Sequence, residues 1–549
     1  MKTLPRAARL GLVPLVFYLV SFLVLTYPAV RVFSTHYYAD SGDGMQNEWN
    51  IWWVKKAVTQ LHQSPWHTNY LHYPFGVSLL AHTLNPFNGF LGITLSQFMS
   101  PVAVYNVIVV FSFVVGGLTA FFLAYYLTGS YWASMIAGFI FTFSPYHFAH
   151  AQGHLQLVSL EWIPLFLLLW LKLLEVPTPR LAVSAAVVLF LVILCDYYYF
   201  FYCVVAGIII TCWQLWQHRD PLLLFRRHYL LPVAGFVLVS LSTSGILAGA
   251  LLLSTRHSPM VGAHPAGDYS LDLLAPFIYG GHWRFGNLTR GYWSRLPGNI
   301  EESSVYLGFS VIILMAYACF KRKTINDKRL SLFLFILFFF GVMALGPDLH
   351  IAGQLVPWVP MPYDWLAGLL PFLKLSGVPV RMMVMVSLCA AVVCAFALKL
   401  LLTASARSRV IASMLIVLMV VEYLPSPIPT SNLPIPEWVQ VLKNLPGNEG
   451  VLDTVSLPSM VLLYQTVHQK PVAFGYVSRL PESLLAKDEE LAAVIAREDY
   501  DQLWTKYRLR YIVSEDWTRS LRNSSDPKAI IWNDGYIWIF DLSRYTPPR

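Results

Sequence analysis

The chain has 549 residues, of which 56% are hydrophobic, 15% are aromatic and only 12% are charged. Soluble globular domains carry about 25% charged residues, so this composition, with a mean hydropathy of +0.55, excludes a soluble multidomain protein and a disordered chain. The net charge of +8 comes from basic residues near the ends of apolar segments, which is typical of membrane proteins and does not indicate nucleic-acid binding.

Apolar segments of membrane-spanning length recur along the first 425 residues. A spanning helix needs about 20 mostly apolar residues, and the chain predicts eleven such spans. The first follows Lys2, Arg6 and Arg9, which indicates an uncleaved span with a cytoplasmic N-terminus. Residues 181–217 are predicted to form two spans that meet at Asp196. The predicted spans are residues 10–30, 101–127, 131–148, 157–174, 181–196, 197–217, 229–254, 304–320, 330–346, 379–403 and 409–425.

The distribution of basic residues supports one orientation in the membrane. Among the Lys and Arg residues of the first 433 residues, a cytoplasmic N-terminus places 16 on the cytoplasmic side and nine in the outer loops, as the positive-inside tendency requires. The three long connections, residues 31–100, 255–303 and 347–378, then face outward. Because loops carry a large share of catalytic and binding residues, we expect function on the outer face of the inner membrane.

The first outer loop, residues 31–100, holds two carboxylates close to the first span. Asp40 and Asp43 alternate with the glycines Gly42 and Gly44. A carboxylate at the membrane surface can take a proton from a hydroxyl group or bind a divalent cation. Ordinary turn chemistry also accounts for Asp and Gly in a loop.

A helix with an aromatic face is predicted next, over residues 46–61. Trp49, Trp52, Trp53 and Lys56 recur at helical spacing. Tryptophan is enriched at the boundary between membrane and water. The pattern therefore predicts an amphipathic helix that lies in the membrane interface and is anchored by its indole rings.

Three histidines lie at the outer end of the span predicted over residues 131–148 and just beyond it. If their segment is helical, His147, His150 and His154 share one face. Imidazoles in such an arrangement can bind a metal or contact phosphate oxygens. Histidines that merely lie at the membrane surface are the alternative interpretation.

Arg381 begins the span predicted over residues 379–403. A charge at that depth is costly unless it is paired or reaches the surface. A guanidinium group binds phosphate through two hydrogen bonds, so a lipid phosphate is one predicted partner, and ordinary headgroups are the other. The second outer segment adds further polar candidates, namely Asp268, Asp272, His282, Arg284 and Glu301.

The C-terminal region differs in composition from the rest of the chain. Its last 116 residues hold 28 charged side chains, against 40 in the preceding 433. Strand patterns at residues 450–456, 510–514 and 536–542, with a helical pattern over 482–507, predict a small α/β domain. The predicted organisation is a membrane domain over residues 1–425, a Pro-rich linker over 426–436 and an extracytoplasmic domain over 437–549.

Several short sequence elements occur in a characteristic order. They are Gly42-Asp43, Trp49-Asn50-Ile51-Trp52-Trp53, Tyr73-Pro74-Phe75-Gly76, His82-Thr83, Phe143-Ser144-Pro145-Tyr146, Gly153-His154-Leu155 and Pro362-Tyr363 with Pro379-Val380-Arg381. Through these elements the membrane part resembles the GT-C superfamily of membrane glycosyltransferases, and in particular a bacterial branch of it. The fold class expected is therefore an α-helical polytopic membrane protein of about eleven spans, GT-C-like, with a small C-terminal α/β domain.

The resemblance implies transfer of a sugar from a polyprenyl-phosphate donor to a glycan, lipid or protein acceptor on the outer face, usually with inversion. Asp43, and Asp40 as second choice, would deprotonate the acceptor hydroxyl or hold a divalent metal (Mg, Mn or Ca). Arg381 and His154 would bind the donor phosphate, and His150 and His154 would join Asp43 as metal ligands. Two residues separate Asp40 from Asp43, whereas many relatives have adjacent acids or acids one residue apart. The roles of general base and of metal ligand therefore both stay open for these aspartates.

Two other functions fit the same composition. A transporter or flippase of lipid-linked or polymeric substrates would need polar residues through the full depth of the bilayer. A non-catalytic assembly protein would use the outer α/β domain to bind partners. The glycosyltransferase hypothesis instead predicts that Asp43, the histidines and Arg381 surround one outward-facing cavity.

Overall fold

The computed structural model describes residues 6–262, 264–369, 377–515 and 529–545. Part of the third predicted outer segment, residues 370–376, lies outside this range. The chain forms two compact units. The helical unit comprises Met1–Phe33, Asn106–Leu247 and His264–Pro429, and the α/β unit comprises Ser34–Tyr105, Ala248–Ala263 and Thr430–Arg549. The domain boundaries drawn from the sequence stay predictions.

Each of the eleven predicted spans coincides with a helix. In the described part of the chain, six helical stretches are long and apolar enough to cross a membrane, and the other five helices have 12 to 17 residues. The segment 181–217 forms two helices with Asp196 between them, as predicted. The helices are Leu12–Leu25, Pro101–Thr128, Tyr131–Thr142, Trp162–Glu175, Pro179–Cys195, Tyr197–His218, Arg227–Ser240 with Ile246–His257, Phe309–Phe320, Lys328–Ala344, Met383–Ala404 and Ala406–Glu422.

The helix Met383–Ala404 lies at the centre of the helical unit. It is buried along most of its length and packs against Tyr131–Thr142, Phe309–Phe320 and Lys328–Ala344. Many of its side chains are small, and small residues allow helices in a membrane to approach closely. The turn that leads into it carries Arg381, so this packing fixes the position of a residue that the sequence assigned to the site.

Close packing also fixes the first spanning helix. The Tyr18 side chain is fully buried, and its hydroxyl donates a hydrogen bond to the Met135 carbonyl at 3.0 Å. A Cβ atom at Gly138 would overlap that hydroxyl group. Glycine at this position therefore permits the contact between Leu12–Leu25 and Tyr131–Thr142.

A buried carboxylate connects the last helix of the helical unit to Phe309–Phe320. Glu422 accepts hydrogen bonds from the Tyr306 hydroxyl at 3.1 Å and from the Phe309 and Ser310 amides at 3.0 and 3.1 Å. The first amides of a helix lack partners within the helix and favour a nearby anion. Glu422 thus holds residues 306–310 in place, shortly after the segment that carries Glu301 and Glu302.

The C-terminal part of the α/β unit confirms the predicted mixture of strands and helices. Its four-stranded sheet has the order Gly450–Asp453, Leu509–Ser514, Trp538–Asp541, Ile530–Asn533, in which only the first pair is parallel. The strand Ile530–Asn533 was not predicted. The helical pattern predicted over 482–507 corresponds to two helices, Glu482–Ala496 and Tyr500–Thr505, because Glu498 adopts a φ of 53° between them.

The tryptophan-rich helix of the first outer loop extends over Asp43–Thr59 and belongs to the protein core. Trp49 and Trp53 are fully buried and stack with ring centroids 5.8 Å apart. Their indole N–H groups donate to Gln465 at 2.7 Å and to the Pro65 carbonyl at 2.9 Å. The prediction that these indoles anchor the helix in the membrane interface is therefore wrong. A periodic aromatic face is also the signal of a helix buried in a protein.

Candidate functional site

Three short segments of the helical unit bring polar side chains together. His150 ends the helix Pro145–His150, Glu302 lies in the single turn Ile300–Ser303, and Arg381 lies in the 3-10 turn Pro379–Met382. Pro145 and Pro379 begin two of these segments, where proline fixes the backbone and its missing N–H costs nothing. The Asn299 side chain accepts a hydrogen bond from the Glu302 amide at 2.8 Å and holds the third segment.

The three side chains form a buried chain of interactions. Nε and Nη2 of Arg381 both donate to Oε1 of Glu302, the former at 2.8 Å. Oε2 of Glu302 lies 3.7 Å from Nε2 of His150. Nδ1 of His150 lies 3.1 Å from Nδ1 of His154. His150 and Glu302 are at most 2% exposed, and His154 is half-buried.

Aromatic rings support this cluster. The Arg381 guanidinium lies 4.9 Å from the centroid of the Tyr198 ring, which is within the range of a cation–π interaction. The Tyr146 ring meets His150 edge to face at 4.4 Å. Tyr146 and Tyr199 are joined through their hydroxyl groups at 3.0 Å, and the Tyr199 hydroxyl donates to the Leu157 carbonyl. These contacts hold the imidazole and the guanidinium in fixed orientations.

The protonation states of the cluster are those that metal ligands need. Burial is the largest single influence and acts to raise the pKa of Glu302, but the positive charge of Arg381, its hydrogen bond and the nearby histidines together outweigh burial and lower this pKa to about 2. Burial lowers the pKa of His150 well below its usual 6.5, although Glu302 opposes this shift. At neutral pH the carboxylate is therefore ionised and the His150 imidazole is neutral, which are the states required of metal ligands.

His150, His154 and Glu302 together fit a divalent cation. One ligand atom from each lies within 4.8 Å of the others. Among the described residues, Nε2 of His150 and Oε2 of Glu302 are buried without a hydrogen-bond partner. Such atoms cost about 1–3 kcal/mol each when unsatisfied, and a bound cation would satisfy both. Two imidazoles beside one carboxylate favour Mn²⁺ or Zn²⁺ over the harder Mg²⁺ and Ca²⁺.

The histidine segment differs from the sequence prediction. The span predicted over 131–148 ends at Thr142, because the residue before Pro145 is pushed out of the helical conformation. The next helix ends at His150, so the three histidines do not share one helix face. His147 is fully buried, its ring nitrogens lie 2.7 and 3.0 Å from the Thr142 and Val158 carbonyls, and it does not join the cluster.

The two loop carboxylates belong to the α/β unit and have different surroundings. Oδ1 of Asp40 accepts hydrogen bonds from the Gly42 and Gly44 amides at 2.8 and 3.1 Å. Asp40 therefore caps the start of Asp43–Thr59. Asp43 is the first residue of that helix and is half-buried, where its negative charge is favoured by the helix dipole. The catalytic roles of both residues stay predictions, as do the phosphate-binding roles of Arg381 and His154.

Sequence reasoning missed two acidic residues. Glu302 was overlooked in favour of Glu301, although two adjacent acids before a predicted span were a usable signal. Glu48 was overlooked because it lies within the tryptophan-rich helix. It is 4% exposed, and its Oε2 atom is buried without a hydrogen-bond partner among the described residues.

Glu48 is expected to make the stability of the protein depend on pH. Burial raises the pKa of its carboxyl group from 4.5 to about 8, although Lys55 opposes the shift. Because the folded state holds this proton more tightly than the unfolded state, stability falls as pH rises from about 4.5 to about 8. Between pH 5.5 and 8.5 the loss attributable to Glu48 is on the order of 3 kcal/mol.

The measurement is thermal unfolding in detergent at both pH values. Glu48→Gln should remove most of the loss between pH 5.5 and 8.5, whereas the exposed Glu489→Gln should leave it unchanged. An identical pH dependence in wild type and Glu48→Gln would show that Glu48 is not held protonated by burial.

Solved structures that are similar to this chain include an arabinofuranosyltransferase and an oligosaccharyltransferase. A variant of arabinofuranosyltransferase AftD from mycobacteria superposes with a TM-score of 0.52 and 14% identity, covering 93% of this chain and 37% of that one. ArnT from Cupriavidus metallidurans bound to undecaprenyl phosphate gives a TM-score of 0.49 and 12% identity over 98% of this chain and 100% of that one. Oligosaccharyltransferase AglB from Archaeoglobus fulgidus, in complex with an inhibitory peptide and a dolichol-phosphate, gives a TM-score of 0.43 and 13% identity over 93% of this chain and 70% of that one.

The similarity to AftD shows the fold, which is the GT-C membrane fold that the sequence predicted. The protein is thus a helical membrane protein with a small strand-containing region near its C-terminus. No curated protein matches the sequence. The family model described as a domain of unknown function (DUF6311) matches residues 15–424, most of the chain, and the protein therefore belongs to the DUF6311 family.

Proposed function

We propose that the protein is a glycosyltransferase that moves a sugar from a polyprenyl-phosphate donor to an acceptor on the outer face of the inner membrane. The observation that carries the proposal is the buried cluster of His150, His154, Glu302 and Arg381 in a GT-C fold. Cationic and metal-binding groups beside membrane helices suit a substrate whose phosphate is attached to a lipid chain. The N-terminus would be cytoplasmic and residues 437–549 extracytoplasmic.

In this reaction the bond between the anomeric carbon and the phosphate oxygen breaks, and a bond to the acceptor oxygen forms. The departing polyprenyl phosphate gains negative charge, and enzymes commonly gain more rate from stabilising such charge than from any other effect. His150, His154 and Glu302 would hold a divalent cation, which when bound supplies positive charge for the phosphate. Arg381, kept in place by Glu302 and Tyr198, would contribute further positive potential.

The acceptor hydroxyl must lose its proton as the new bond forms. We assign this proton to Asp43, which is half-buried at the start of a helix and is therefore accessible to a substrate. Asp40 is the weaker choice because its Oδ1 atom already accepts two backbone hydrogen bonds. The acceptor would be a glycan, a lipid or a protein.

The proposal is tested by mass spectrometry of lipid-linked sugars and surface glycans in a strain that lacks the gene. We expect one polyprenyl-phosphate sugar to accumulate and one surface glycan to lose the corresponding sugar. The wild-type gene should restore both, and a gene encoding Asp43→Asn should restore neither. Unchanged lipid-linked sugars and glycans in the deletion strain would contradict the proposed function.

A further inference from the structure

The third predicted outer segment exposes large apolar side chains to its surroundings. Its residues 350–369, which we call the apolar segment, form a small hairpin and a short helix, His350–Ile351 with Gln354–Leu355 and Pro362–Leu369. Trp358 and Trp365 keep 78% and 71% of their surface exposed, and Leu355 keeps 52%. Single exposed apolar residues are common, but several large ones in so short a stretch indicate a contact with lipid or protein.

Hydrogen bonds hold the hairpin of the apolar segment in place. Asp272 is buried, and its Oδ2 atom accepts a hydrogen bond from the Gly353 amide at 2.7 Å. Its Oδ1 atom accepts one from the Tyr292 hydroxyl at 2.8 Å. The His350 carbonyl accepts one from the Leu273 amide at 2.9 Å. The exposed side chains are therefore presented from a fixed backbone, and Asp272, a polar candidate in the sequence, has this structural role.

The same region places the hairpin close to the end of a spanning helix. The Leu271 amide donates to the carbonyl of Ala344, the last residue of Lys328–Ala344, and the Leu273 amide donates to His350. Two residues of chain reach at most about 7 Å. Each headgroup layer of a bilayer is about 5–8 Å thick, because the hydrocarbon core measures about 30 Å and the whole bilayer about 40–45 Å. The hairpin thus begins within about one headgroup layer of the helix end.

Composition and burial favour a lipid surface as the contact of the apolar segment. Tyr363 and Ala367 are buried on one face of its helix, and Trp365 is exposed on the opposite face. Exposed tryptophans are typical of the membrane interface, and these are not covered by the protein as the tryptophans of the first outer loop are. Residues 347–369 include no Lys or Arg, so apolar burial, and not attraction to anionic headgroups, would drive the contact.

We propose that the apolar segment inserts into the lipid headgroup layer, with Trp358 and Trp365 as its anchors. In the proposed orientation this layer belongs to the outer leaflet, because Lys328 and Arg329 begin the neighbouring helix on the cytoplasmic side. The indole rings bury their apolar faces against the upper acyl chains and keep their N–H groups among polar headgroups. This inference goes beyond sugar transfer and does not rest on it.

Insertion of the apolar segment would also fix the depth of the cation cluster. The Tyr269 carbonyl accepts a hydrogen bond from the Val380 amide at 3.1 Å, and Val380 precedes Arg381. Residues 269–273 therefore connect the hairpin to the turn that carries Arg381. Through these backbone contacts, Arg381 would stay at a constant height relative to the lipid phosphates.

The test is spin labelling of the full-length protein in phosphatidylcholine vesicles. The exposed native cysteines Cys212 and Cys319 are replaced with serine. One label at a time is attached through Trp358→Cys or Trp365→Cys, with the other tryptophan intact. Collision rates with oxygen, which dissolves in the bilayer, and with a nickel chelate, which stays in water, report the depth of each label by electron paramagnetic resonance.

Two further labels define the depth scale. Phe338→Cys marks the hydrocarbon core, because Phe338 is 67% exposed in the middle of Lys328–Ala344. Tyr536→Cys marks water, because Tyr536 is 82% exposed on the α/β unit. We expect the oxygen-to-nickel ratio at residues 358 and 365 to lie several-fold above the ratio at 536 and below the ratio at 338. Addition of phosphatidylglycerol should leave it unchanged.

Three results would overturn the insertion of the apolar segment. A ratio at residues 358 and 365 equal to that at 536 would place both side chains in water, where only a soluble partner could cover them. Slow collisions with both reagents, together with spin–spin broadening, would show that a second copy of the chain covers the segment. A ratio that rises only with phosphatidylglycerol would replace apolar burial with charge attraction. None of these results depends on the outcome in the deletion strain.

Discussion

Replacing Asp43 with asparagine is expected to lower the rate of sugar transfer at least about a hundredfold, because general-base catalysis contributes about 10²- to 10⁴-fold. Asparagine has nearly the same shape as aspartate but cannot take the proton of the acceptor hydroxyl. The side chain is half-buried at a helix start, where loss of its negative charge removes only about 0.3–1 kcal/mol of favourable interaction with the helix dipole. Folding, measured as thermal unfolding in detergent, should therefore change little.

Asp40→Asn is the matched control for this experiment. Its amide oxygen can still accept the hydrogen bonds from the Gly42 and Gly44 amides, so we expect most of the activity to remain. Both variants and the wild type are assayed in membranes that contain the donor lipid and a labelled sugar, and their rates of sugar transfer are compared. Full activity of Asp43→Asn would defeat its assignment as the base, and equal losses in both variants would indicate that the helix start matters only for structure.

Removal of the bound cation is expected to have the second large effect. Purified protein exposed to Mn²⁺ or Zn²⁺ should retain about one ion per chain, and a chelator should abolish sugar transfer until the ion is restored. His150→Ala and His154→Ala each remove one ligand. We expect each variant to transfer sugar about a thousandfold more slowly, because it loses several kcal/mol of the stabilisation that the metal charge gives to the reaction. Metal content, measured by mass spectrometry, gives a readout that does not depend on activity.

His218→Ala serves as the control, because His218 is exposed on the same unit and this variant should keep both metal and activity. Glu302→Gln is a poor test of metal binding. It leaves Arg381 buried without its counter-charge, and breaking such a pair costs about 3–5 kcal/mol of stability. If His150→Ala and His154→Ala both still retain about one ion per chain, these imidazoles are not metal ligands.

Local patterns in the sequence were sufficient to identify the helices and the fold class. Length and hydropathy of an apolar run are local properties, so each predicted span coincides with a helix, and Asp196 correctly divides residues 181–217. The sequence also identified the pair His150 and His154, because the two histidines are only four residues apart. The GT-C resemblance was likewise carried by short elements in order, and the fold confirms it.

Which polar groups meet became evident only in the folded chain. Arg381 pairs with Glu302, 79 residues away in the chain, and no local pattern distinguishes that partner from Glu301 or Asp272. Likewise, Trp49 donates to Gln465, 416 residues away, so the aromatic face that predicted a membrane anchor is part of a protein core. The sequence pattern of a single helix shows only that one face of that helix is apolar. What covers that face depends on packing between distant segments.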